Sequence, residues 1–198
     1  GLGGIRTGEI LERRVSAADT AHPVKRYCIT DSLDVVALAA GRGVDMIQIR
    51  AKDLAARDLF RLARRAVELA GESLVLINTR FDVALAAGAQ GVHLTSRAVA
   101  PSWIRRVAPK PFVIGVSCHN LEEVRRAEDE GANFVVFGPV FPTPSKPGAA
   151  PVGLEALRDV CLRTTIPVYA LGGITEVNAP SCLEAGAAGI AGISLFRT

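Results

Sequence analysis

The sequence predicts an α/β protein of the (β/α)8 TIM-barrel type, and three observations carry that prediction. Helical stretches end four times at a glycine that is soon followed by an apolar strand: Gly43-Val44-Asp45, Gly88-Ala89-Gln90, Gly131-Ala132-Asn133 and Gly186-Ala187-Ala188. Further short Val- and Ile-rich runs lie between these units, so that eight strands alternate with helices in 198 residues. Nearly every residue suited to polar chemistry falls just past the C-terminal end of a strand, the rim on which such barrels carry their sites.

In chain order, residues 1–22 read as a polar lead-in with a short helix at 9–15, and residues 23–198 as one barrel domain. Strands are expected at 26–30, 46–50, 74–78, 91–94, 112–117, 134–138, 168–172 and 189–194. Each is short and apolar on both faces, as strands of a parallel sheet covered by helices must be. Helices are expected at 54–70, 80–87, 101–108, 121–131, 154–162 and 177–185. Asn120, with Glu123 three residues on, forms a capping-box-like start for the fourth of these. Trp103 is assigned to helix packing. An open doubly wound sheet is the competing fold, but its glycine fingerprint should follow the first strand, and here Thr30-Asp31-Ser32 follows instead. The chain ends four residues after Ser194, so the last barrel helix is missing from this sequence, or the lead-in covers that face.

Composition narrows the function classes. The chain is 49% hydrophobic and 22% charged with a net charge of +3, the profile of an ordinary soluble protein. Its Lys and Arg are scattered among acids rather than gathered in a stripe, which argues against nucleic-acid binding. No apolar run reaches membrane-spanning length. Cys28, Cys118, Cys161 and Cys182 form no C-x-x-C pair and read as free thiols of a cytoplasmic protein. No Cys/His cluster has metal-ligand spacing.

The strand ends supply the candidate site. Gln48, Arg50 and Lys52 alternate along strand two, so all three are expected to face the barrel axis and its mouth. Polar groups there are costly unless they meet a ligand or partners. Arg50, Lys52, Arg80 and Lys146 place four cations around one mouth, suited to phosphate or diphosphate oxygens; the alternative is solvated rim charges paired with Asp31 and Asp53. Gly172-Gly173-Ile174 and Gly192-Ile193-Ser194 follow strands seven and eight, where barrel phosphate sites form from main-chain N–H groups. His93 reads equally as a satisfied core histidine or a pocket residue, and His119 as a neighbour of the site.

These segments resemble the thiamin phosphate synthase / TenI family from about Tyr27 to Ser194. The resembling motifs are Tyr27-Cys-Ile-Thr-Asp31, Gln48-Ile-Arg-Ala-Lys52, Ile77-Asn-Thr-Arg80, Gly91-Val-His-Leu94, Gly115-Val-Ser-Cys-His119, the 138–146 loop and Ala170-Leu-Gly-Gly-Ile174. The resemblance implies an enzyme of thiamin biosynthesis that joins a pyrimidine diphosphate to a thiazole phosphate and releases pyrophosphate with Mg2+. It implies that Gln48, Arg50, Lys52, Asn78, Ser117, Thr143 and Lys146 line the pyrimidine-diphosphate side, and that Gly173 and Ser194 hold the thiazole phosphate. Arg50, Lys52, Ser117 and Lys146 are the residues assigned to the reaction itself, and Arg80 joins the substrate-binding set.

Two departures bear on the metal. Synthases typically carry Asn-Asp-Arg where this chain has Asn78-Thr79-Arg80, and a Gly-Gln-Glu-Asp run where it has Thr95-Ser96-Arg97-Ala98. Both carboxylate ligands expected for Mg2+ are thus absent, which makes Mg2+ doubtful and leaves no metal ligand assigned. Loss of both acids is also typical of the TenI-type thiazole tautomerase, a metal-free isomerase, although the histidine of that branch corresponds here to Pro139. A synthase, a tautomerase and a non-catalytic binder of phosphorylated ligands all remain open. A homodimer is compatible with a barrel of this size.

Overall fold

The computed structural model describes residues 25–196. The helix expected at 9–15 and the boundary between lead-in and barrel lie outside the described residues. Eight parallel strands close into a barrel in sequence order, the first pairing with both the second and the eighth. They are β1 (Lys25–Thr30), β2 (Met46–Ile49), β3 (Leu74–Asn78), β4 (Gly91–Leu94), β5 (Val113–Cys118), β6 (Phe134–Phe137), β7 (Val168–Leu171) and β8 (Gly189–Gly192). The connecting helices are α1 (Leu33–Gly41), α2 (Ala56–Leu69), α3 (Phe81–Ala87), α4 (Pro101–Val107), α5 (Leu121–Asp129), α6 (Gly153–Arg163) and α7 (Ala179–Glu184). Closure excludes the open doubly wound sheet.

Alternation along the strands divides the core into two layers. Tyr27, Met46, Leu74, Leu76, Val113, Phe134, Val136, Tyr169 and Ala191 fill the barrel. Their sequence neighbours, such as Cys28, Ile47, Val75, Ile77 and Val135, face outward and pack beneath the helices. Tyr27, Phe134 and Tyr169 stack edge-to-face inside, at centroid distances of 5.1–6.3 Å. Small residues make room for them: a Cβ on Gly115 would meet the Phe134 ring at 2.3 Å.

The four glycine stops behave as expected. Gly43, Gly88, Gly131 and Gly186 all have positive φ, from +68° to +104°, which lets the chain leave each helix and enter the next strand. Asn120 caps α5, its Oδ1 accepting from the Glu123 N–H at 2.9 Å. Helix α1, not among the helices anticipated, runs LDVVALAAG, apolar nearly all round and so lacking a helical stripe.

Two corrections follow from the structure. Trp103 does not pack between helices: it is 59% exposed on the outer face of α4, where the Arg106 guanidinium lies 4.5 Å from its ring. Pro101 and Ile104 are the residues α4 buries. Strand β2 ends at Ile49, so Lys52 stands in a turn and the alternation invoked for Gln48, Arg50 and Lys52 stops at Arg50, whose N–H still donates to the Thr30 carbonyl at 2.9 Å.

Candidate active site

The C-terminal ends of the strands form the mouth, and on β2 to β5 the inward side chains nearest it are polar, whereas β6 and β7 present Val136 and Leu171. Gln48 on β2 and His93 on β4 are each only 2% exposed. Asn78 on β3 stands opposite His93 in the register, Ser117 on β5 lies two residues beyond His93's partner Gly115, and both are half-buried. A hydrogen-bonded chain of Gln48, Tyr27, His93 and Ser117 crosses the barrel. Gln48 Nε2 donates to the Tyr27 hydroxyl at 3.0 Å, which lies 3.0 Å from His93 Nδ1, and His93 Nε2 lies 2.8 Å from Ser117 Oγ. Burial, with the Arg50 charge adding to it, lowers the His93 pKa to about 3, so its ring is neutral. Asn78's side-chain amide has no protein partner among the described residues.

The four cations differ in what surrounds them. Arg80 is held by Asp82 through two bonds, Nε at 2.8 Å and Nη2 at 2.6 Å. These bonds raise the Arg80 pKa and lower that of Asp82. Arg80 is therefore neutralised by a carboxylate that the sequence reading did not pair with it. Arg50 and Lys52 have no carboxylate partner among the described residues. Lys146, in the loop after β6, donates to His119 Nε2 at 2.9 Å. His119 Nδ1 in turn donates to Glu123 Oε2 at 2.9 Å, and that oxygen also takes the His119 main-chain N–H at 2.7 Å. Burial pushes the Glu123 carboxyl up, but the His119 bonds outweigh it and hold the pKa below its usual value. The Glu123–His119–Lys146 chain ties a lysine that has no carboxylate of its own among the described residues to the residue that follows β5.

The loop carrying Lys146 is shaped by glycine and threonine. Thr143 organises its tip, its Oγ1 accepting from the Ser145 N–H and its carbonyl from the Lys146 N–H, both at 3.3 Å. The base of the loop lies against β7's end: Val140 and Phe141 N–H donate to the Leu171 and Gly172 carbonyls at 2.8 and 3.0 Å. Gly172 and Gly173 have φ of +97° and +64°, and a Cβ there would meet Pro139 Cα at 2.5 Å or the Pro142 carbonyl at 2.4 Å. The Gly-Gly pair is thus required by loop contact as well as by any anion. Asn178 closes the turn beyond, its side chain binding the Gly173 carbonyl and the Thr175 N–H. The N–H groups of Gly173 and Ser194 donate to no protein acceptor among the described residues, and both lie at the same end of the paired strands β7 and β8.

The metal positions do not suit Mg2+, which binds through one or two carboxylates and ligand phosphates. Thr79 and Ala98 stand where acids were expected, and Asp82, the nearest acid in sequence to Thr79, is committed to Arg80. No group of three or more His, Cys, Asp or Glu able to hold a metal occurs among the described residues. The thiols stand apart from this chemistry: all four are free, and burial raises Cys118 to about 12 and Cys161 to about 11.

Sequence reasoning brought Gln48, Arg50, Asn78, Ser117, Lys146, Gly173 and Ser194 to one rim. It missed Tyr27 and Glu123 as partners of that set. Tyr27 is marked only by its inward position on β1 once the register against β2 is known, and Glu123 only by its i, i+4 spacing from His119.

Comparison with known proteins gives a consistent result. A family model described as thiamine monophosphate synthase matches residues 24–196. A protein of Aquifex aeolicus, named provisionally as a second thiamine-phosphate synthase, is 46% identical over 179 residues, covering 86% of this chain and 96% of its own length. Thiamine-phosphate synthase of Methanocella arvoryzae is 47% identical over 159 residues, 79% of this chain and 75% of its own. Among solved structures, thiamine phosphate pyrophosphorylase from Pyrococcus furiosus superposes with a TM-score of 0.79 at 36% identity, covering 86% of both chains.

Proposed function

We propose, from the premise that this chain belongs to the thiamine monophosphate synthase family, that it is a transferase joining a pyrimidine diphosphate to thiazole phosphate with release of pyrophosphate. The observation that carries this reading is the mouth itself. Arg50 and Lys52 after β2 and Lys146 after β6, without carboxylate partners among the described residues, follow the same strand ends that carry Asn78 and Ser117 and the main-chain donors after β7 and β8, which supports the reading.

In this reading Arg50, Lys52 and Lys146 gather the diphosphate, with Arg80 held at the edge by Asp82. Gln48, Asn78, Ser117 and Thr143 orient the pyrimidine side. The N–H groups of Gly173 and Ser194 hold the thiazole phosphate. The bond from carbon to the diphosphate oxygen breaks with its electron pair going to the leaving group. The thiazole nitrogen then attacks the pyrimidine-stabilised cation. Such a step asks for fixed positive charge where negative charge grows, and for two substrates held in line. It asks for little acid–base machinery. The absent carboxylates at Thr79 and Ala98 favour one second reading, a metal-free tautomerase acting on thiazole phosphate.

Product formation from both substrates, measured with Mg2+ and with EDTA beside a tautomerisation assay, tests the proposal. Thiamin phosphate and pyrophosphate should appear in equal amounts, at a rate that Mg2+ raises only weakly. Thr79→Asp with Ala98→Asp should increase the Mg2+-dependent part. Tautomerisation without condensation would replace this reading by the second.

A further inference from the structure

We infer that Tyr27 and His93 are positioning residues that fix the hydroxyl of Ser117 as a hydrogen-bond donor toward the mouth. The inference rests on the reading of the mouth as a diphosphate site.

Gln48 Nε2 donates to the Tyr27 oxygen and cannot accept in return, so among the described residues His93 Nδ1, 3.0 Å away, is the acceptor for the buried Tyr27 proton. An imidazole that accepts at Nδ1 and is neutral carries its one proton on Nε2. That proton lies on the side of Ser117, whose Oγ is 2.8 Å away and must accept it. The Ser117 O–H is then left to donate elsewhere, and the half-buried side chain stands at the mouth end of β5. The chain draws on three strands, β1, β2 and β4, before it reaches the serine on β5. Its members Tyr27, Gln48 and His93 are all buried, so water does not compete for their protons. A serine rotor that could otherwise either accept or donate is thereby committed to acceptor oxygens such as those of a diphosphate. Reversal of the tautomer would make Nε2 an acceptor, draw the Ser117 proton inward and present a lone pair to an anion.

Three readouts test this. In 15N-labelled wild-type protein, long-range nitrogen–proton correlation spectra should show His93 as the Nε2–H tautomer, unchanged between pH 5 and 8. Tyr27→Phe should admit the Nδ1–H form and weaken binding of inorganic pyrophosphate, followed by calorimetry, about tenfold, the size of one charge-assisted hydrogen bond. His93→Gln, whose amide N–H can still donate to Ser117, should keep affinity within about threefold, whereas His93→Leu should lose as much as Ser117→Ala; variants are compared only where circular dichroism shows a folded barrel, and Tyr27→Phe decides if His93→Leu does not fold. An Nδ1–H tautomer in the wild type overturns the inference. So does unchanged pyrophosphate affinity in Ser117→Ala or in Tyr27→Phe. Because these readouts use the tautomer and pyrophosphate alone, absence of condensation activity would strike the proposed reaction and leave this inference to be decided by them.

Discussion

Thr79 is the only non-glycine residue with positive φ among the described residues, at +57°. A β-branched side chain is poorly suited to that backbone, which Asn and Asp visit far more readily. Thr79→Asn should therefore raise stability by about 1 kcal/mol, read as a higher urea midpoint with unchanged slope. The same backbone would tolerate the acid that the resemblance implies for this position, so Thr79→Asp should not disturb the turn. His93 carries a second residue-scale prediction. Its pKa is about 3 folded, against an ordinary value near 6.5, so between those limits the unfolded chain binds the extra proton. Stability should be full above pH 6.5 and fall towards pH 3 by as much as about 1.4 kcal/mol per unit from this group. Wild type should lose stability more steeply than His93→Gln over that window. Parallel curves would show that the buried imidazole is not the cause.

At the scale of elements, the mouth is held by contacts between segments, and so is the opposite end of the barrel. Arg105 on α4 ties three of them: Nε to the Gly131 carbonyl at 3.0 Å, Nη1 to the Phe112 carbonyl at 2.5 Å, and Nη2 to Asn133, whose Oδ1 also takes the Ile114 N–H. Arg105→Ala leaves these acceptors without their donor and should cost roughly 2–3 kcal/mol in thermal or urea unfolding, with pyrophosphate affinity unchanged. A neutral effect would mean that water replaces the guanidinium at no loss. Elements were legible in the sequence wherever their cause is local: the glycine stops, the Asn120 cap and the Val- and Ile-rich strands all announce themselves within a few residues. What sequence did not disclose depends on the face or on the register. Trp103 is assigned to helix packing, but the helix turns it outward; α1 has no polar face to mark it. The Tyr27–His93 and Lys146–His119 bonds join residues 66 and 27 positions apart, so no local pattern encodes them.

For the whole molecule, the one tryptophan of the chain is a probe of the outside only. Acrylamide should quench Trp103 emission efficiently, and ligands at the mouth should leave the emission nearly unchanged. Strong protection from quenching would mean that α4 is covered by a second copy in solution. The closed barrel has a different consequence, in time rather than in space. Strand β1 pairs with β8, so the first strand to be made completes its ladder only with the last. Until β8 is available, a growing chain carries two unpaired strand edges, and closing the longest loop comes last. During synthesis the nascent chain is thus an open sheet, and the interval before β8 emerges is when it is most exposed to association with other unfinished chains.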